Sequence, residues 1–169
     1  MAHPRVEQLR FARTEWQRGL AGLSEEDAVR RLLPMNSISW MAGHMAWHER
    51  LVWLRRAQGL RVEPVLDLVA TRKPASTPAL ADMQASWRRV VDAADVYLEG
   101  LTTADLELPP AFDTRDVVPV LGTQVMLITY HYWSHIGEAS AVRQMLGHTD
   151  LAEWVGDLNG QAPYRREPA

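Results

Sequence analysis

Two stretches of helix length contain no Asp, Glu, Lys or Arg: residues 32–47 and residues 117–137. A helix that is uncharged on most sides is a buried helix, covered by other elements. Each stretch nevertheless brings imidazoles with it. His44 lies in the first and His48 one turn beyond its end; His131 and His135 lie in the second. The second stretch is long enough to cross a membrane, but Pro119, Gln124, Thr129, His131, Ser134 and His135 interrupt it. Membrane spans are predominantly apolar, so a buried helix with no membrane partner is the expectation.

Apolar spacing predicts four long helices and no sustained strand alternation. The first covers about residues 4–20, with Val6, Leu9, Trp16 and Leu20 on one side and Gly19 and Gly22 at its end. A short helical turn follows from the capping-type sequence Ser24-Glu25-Glu26-Asp27 and stops at Pro34. Asn36 is the expected N-cap of the second helix, which runs to about Gln58, before Gly59. Residues 59–76 read as a connection. Thr77-Pro78 opens the third helix, striped by Leu80, Met83, Trp87, Val91, Ala94 and Leu98 and ended by Gly100. After a loop over 101–117, with a short turn near Ala104, the fourth helix runs from about Val118-Pro119 to Met145, with Gly147 as its stop. The reading is an all-α four-helix bundle in one domain, residues 1–169, with its core in 4–147. The tail, 148–169, is irregular apart from a short helix near residues 151–155.

His44 and His48 are four residues apart, as are His131 and His135, and residues at that spacing share a helix face. Six histidines scattered at random give one such pair in about one sequence in five and two pairs in roughly 2%. A buried ring nitrogen costs free energy unless it finds a partner. A divalent metal is an economical partner: two imidazoles one turn apart occupy two positions and a third from a facing helix completes the set. Three protein ligands leave a position for water or substrate, the pattern of catalytic zinc sites. All-nitrogen ligation suits zinc, nickel, copper or iron, with zinc or nickel the leading expectation. His48 begins the charged end of its helix, so exposure or a place behind a ligand is expected of it. Glu49 reads as part of a surface pair with Arg50 or Arg56.

Glu138 shares the face of His131 and His135. It is expected either to orient an imidazole, or to act as a general base, or to pair with Arg143. Trp40, Trp47, Tyr130 and Trp133 surround the ligands in sequence; they are candidates for the walls of a substrate pocket, although core packing is the usual role of such rings. The methionines read as core filler, and His3 and His148 sit near segment ends.

Composition narrows the function. Hydrophobic residues make up 47% and charged residues 23%, the net charge is -3, and Lys73 is the sole lysine. Nothing there points to nucleic acid, which calls for a basic patch or stripe. There are no cysteines, so disulfides and thiolate ligands are excluded. The N-terminal residues show no secretory pattern, and the cytoplasm is the expected location. Phosphate loops, dinucleotide fingerprints and the Glu-x-x-His motifs of di-iron bundles are all missing.

Two motifs carry a family resemblance. The segment from Asn36 through Trp40, Gly43 and His44 to His48-Glu49, and the segment His131-Tyr132-Trp133-Ser134-His135-Ile136-Gly137-Glu138, together resemble the DinB-like superfamily. That superfamily includes the YfiT-type bacillithiol transferases and the mycothiol-dependent isomerases. The resemblance implies the metal triad His44, His131 and His135, with His48 a neighbour, and frequent homodimers. An open site of this kind lowers the pKa of bound water or thiol. The expected function is therefore hydrolysis or transfer of a low-molecular-weight thiol to a small-molecule substrate. The alternatives are a non-catalytic metal- or ligand-binding protein of stress response or dimeric interaction, and a bundle whose histidines bind nothing.

Overall fold

A computed structural model describes residues 2–167. Among these the chain is all helix and loop, with no strand. The long helices are α1 (Pro4–Gly19), α3 (Ile38–Glu49), α4 (Leu80–Glu99) and α6 (Leu121–Met145); α2 (Glu25–Val29), α5 (Thr103–Leu106) and α7 (Leu158–Gln161) are single turns. The long helices pack α1 on α6, α6 on α3 and α3 on α4. Their facing sides merge into one core that includes Trp16, Met41, Met45, Trp53, Leu98, Ile128 and Tyr132. No described helix is long and apolar enough to cross a membrane.

Several boundaries differ from the sequence expectation for identifiable reasons. Ser37, not Asn36, caps α3: its hydroxyl accepts from the Trp40 N–H at 3.2 Å. Helix α4 begins after Ala79 rather than at Thr77-Pro78. Its first N–H groups, on Leu80 and Ala81, donate to the Glu25 carboxylate of α2 at 2.5 and 3.3 Å. A capping group supplied from another helix leaves no local signature at the start of α4. Helix α6 starts at Leu121, past Pro119, and the short tail helix lies at Leu158–Gln161 rather than near 151–155.

Two features had no sequence expectation at all. Helix α3 continues as a π-helix over Arg50–Arg56, and the connection after it contains a 3-10 helix, Pro64–Val69. The 3-10 helix packs on α3 and buries Leu66 and Val69. Both features flank the histidines, and π-helical turns are often found beside functional sites.

Candidate metal centre

Helix α3 contributes His44 and helix α6 contributes His131 and His135; their ligand-type nitrogens all lie within 4.8 Å of one another. His44 and His135 are buried and His131 is half-buried. The local helix geometry fixes each ring. Trp40, one turn before His44, stacks on it with centroids 4.6 Å apart and planes 10° apart, and Trp47 covers it at 5.4 Å and 21°. His131 and His135, one turn apart on α6, have centroids 4.6 Å apart. His44 meets them nearly edge-on, at 5.1 and 5.5 Å.

The hydrogen bonds decide which nitrogens are free. His44 Nδ1 lies 2.9 Å from the Val69 carbonyl, which can only accept, so Nδ1 carries the proton and Nε2 keeps its lone pair. His135 Nδ1 lies 2.8 Å from the Glu138 carboxylate, with the same consequence. His131 Nδ1 lies 2.7 Å from His48 Nδ1, where one ring must donate to the other. With the proton on His131, all three rings of the cluster present an unprotonated Nε2. Partners of this kind, placed behind the ligands, orient metal-binding histidines in proteins.

Burial also disfavours the charged forms of His44, His131 and His48. It lowers the pKa of His44 to about 4, with neighbouring His135 acting in the same direction. His131 falls to about 3, through burial first and then the other histidines. His48 falls to about 4, through burial and then the charges of His44 and Arg56. Neutral imidazole is the form that ligates a metal. The donor set therefore fits a divalent ion: three imidazole nitrogens, no competing thiol, and a hydrogen-bonded partner behind each ring.

The other sequence candidates are placed as follows. Trp40 and Trp47 touch the cluster directly through His44. Trp133 turns away and packs against Phe11 of α1 at 6.0 Å. Tyr130 is 61% exposed, neither core nor in ring contact with the histidines among the described residues. Glu138 meets His135 and not Arg143; Arg143 is buried and donates to the Gly19 and Ala21 carbonyls at the end of α1. His3 caps α1, accepting from the Arg5 N–H, and His148 joins Arg143 to Asp27; both lie outside the cluster.

Glu49 corrects the expectation of a surface pair. It is fully buried, and both of its carboxylate oxygens accept from Arg13 of α1, at 2.7 and 2.6 Å. The Tyr132 hydroxyl donates to it at 2.9 Å and accepts from the Trp87 indole at 2.7 Å. This polar clasp joins all four long helices immediately beside the histidines. A usable signal was present: Met41, Met45 and Glu49 share one side of their helix, and Arg13 fills the gap between Leu9 and Trp16 in the stripe of α1.

A search of curated proteins found no match. A family model of the DinB superfamily matches residues 8–139, a span that contains all three clustered histidines and Glu138. The chain belongs to the DinB superfamily.

Proposed function

We propose that this protein is a metal-dependent enzyme that acts on a small molecule with water or a low-molecular-weight thiol as the nucleophile. The carrying observation is the three-histidine cluster, with each Nδ1 engaged by a hydrogen-bond partner. His44, His131 and His135 would hold the ion. Three protein ligands leave a position for an exogenous molecule, and a divalent ion supplies Lewis acidity that lowers the pKa of what binds there.

The remaining steps belong to the chain. Val69 and Glu138 hold His44 and His135 with the proton on Nδ1, and His48 orients His131. Trp40 and Trp47 keep His44 from rotating. Glu138 uses one carboxylate oxygen on His135, and its side chain is 23% exposed. Its second oxygen is the group we assign to accept a proton from the incoming nucleophile. From the family resemblance, we take the working form to be a cytoplasmic homodimer, which light scattering on the purified protein checks.

The test is turnover by metal-loaded protein. Monochlorobimane with a panel of bacterial thiols reads thiol transfer, and p-nitrophenyl acetate reads hydrolysis. Activity that is lost on chelation and in His135→Ala, and reduced at least about 100-fold in Glu138→Gln, is expected of a general base. Rates equal to the metal-free control across both assays would instead assign the site to metal binding without turnover.

A further inference from the structure

Past the histidines, the π-helix leads into a second polar feature. Leu51, Arg55, Arg56, Arg61, Phe112 and Arg115 surround a cleft of about 420 Å³, with Asp113 the carboxylate in its lining. Arg55 and Arg56 end the π-helix. Gly59, at φ 73°, turns the chain so that Arg61 returns toward them. Arg115 comes from the loop between α5 and α6.

That loop is fastened in place. The Phe112 N–H donates to the Arg56 carbonyl at 2.8 Å. The Phe112 ring lies so close over Gly59 that a Cβ there would meet it at 3.1 Å. Asp113, with a side chain only 2% exposed, accepts from Arg115 at 2.6 Å and pairs with Arg56 at 3.3 Å. Four guanidiniums thus face one carboxylate, an excess of three positive charges. Arg55 and Arg61 are exposed and have no hydrogen-bond or ion-pair partner among the described residues. Converging like charges repel, and the crowding is felt: burial and then the charge of Arg115 lower the pKa of Arg56. Arginine forks match carboxylate and phosphate oxygens two at a time. Phe112, 60% exposed, offers an apolar wall beside them.

From this arrangement we infer that the cleft is an anion-binding subsite, which takes the carboxylate or phosphate end of a small organic acid. Arg55 and Arg56 lie on the helical continuation of α3 beyond His44 and His48. If the proposed enzymatic reading also holds, the substrate holds its acid group in this cleft while its reacting atom lies at the histidines.

Inorganic phosphate and succinate, titrated into metal-free protein at low ionic strength, test the subsite independently of the metal. One saturable site is expected, with amide shifts concentrated in residues 51–61 and 112–115. Arg55→Ala/Arg61→Ala should bind at least about 10-fold more weakly, as loss of two charge-assisted contacts implies. Arg88→Ala, an exposed arginine on α4, and His135→Ala should bind as the wild type does. Absence of saturable binding, or an unchanged affinity in the double variant, overturns the subsite. The link to catalysis is read in metal-loaded protein, by comparing electrophiles with and without a carboxylate. The double variant should raise KM for the acidic one and leave kcat unchanged; equal KM values would overturn the link while leaving the subsite standing.

Discussion

Removing Glu49 should be among the costliest single changes in this protein. Its carboxylate is fully buried, and so is nearly all of Arg13, whose guanidinium then keeps only the partly exposed Asp95, at 2.6 Å. Burial alone would push Arg13 toward losing its proton, but the charge and hydrogen bonds of Glu49 outweigh it and hold the guanidinium charged. Breaking a buried pair by deleting one partner costs about 3–5 kcal/mol. At about 2–4 °C per kcal/mol for a chain of this size, Glu49→Ala should lower Tm by roughly 6–20 °C. Arg13→Met should cost a similar amount, because it strands the carboxylate. The double variant Arg13→Met/Glu49→Met removes both charges. Its cost should fall to about 1–3 kcal/mol, that of the Tyr132 hydroxyl left without an acceptor. Urea and thermal unfolding of the metal-free protein, followed by circular dichroism, give the full cycle. Additive single costs, or a loss below about 1 kcal/mol for Glu49→Ala, would refute the clasp as a coupled buried pair.

The cluster itself yields further expectations. A side chain on Gly43 would place its Cβ 2.4 Å from Met83 Sδ and 3.0 Å from Val69 Cγ2, and the Val69 carbonyl holds His44. Gly43→Val should therefore cost about 1–3 kcal/mol and weaken metal binding; wild-type affinity would show that the 3-10 helix yields without disturbing His44. His48→Ala removes the partner of His131 Nδ1 and should lower metal affinity about 10- to 100-fold in chelator competition, whereas an unchanged Kd would make His48 a bystander. Stability of the metal-free protein should fall with acid. His44, His48 and His131 have folded pKa values of about 4, 4 and 3, below the unfolded value of 6.5. Between those limits the unfolded chain binds the extra protons, so stability is full above pH 6.5 and declines as pH drops through the window. The slope contributed is at most about 1.4 kcal/mol per pH unit for each ring. Urea midpoints that stay flat from neutral pH to about pH 5 would mean the rings are not held neutral.

The parts of this molecule that were legible in the sequence are those set by one helix at a time. Apolar stripes gave the four long helices, and the four-residue spacing gave both histidine pairs. Charge-free flanks placed His44 and His135 in the interior. What was illegible depends on contacts between segments. Arg13 and Glu49 each sit in an apolar stripe, which marks them for burial, but only the contact between α1 and α3 shows that they pair. Glu25 caps a helix more than fifty residues away. Val69 holds His44 through its backbone, to which side-chain identity gives no clue. The π-helix over Arg50–Arg56 leaves no mark in residue type, although it turns Arg55 and Arg56 toward a cleft shared with a distant loop.

The metal content of the purified chain is the most direct measurement. Wild-type protein incubated with zinc or nickel, dialysed and analysed for metals should retain one equivalent per chain. His44→Ala and His135→Ala should retain little while keeping the helical circular dichroism of the wild type. Wild-type protein as empty as these variants after metal addition, or equal metal in all three, would contradict a metal centre at His44, His131 and His135.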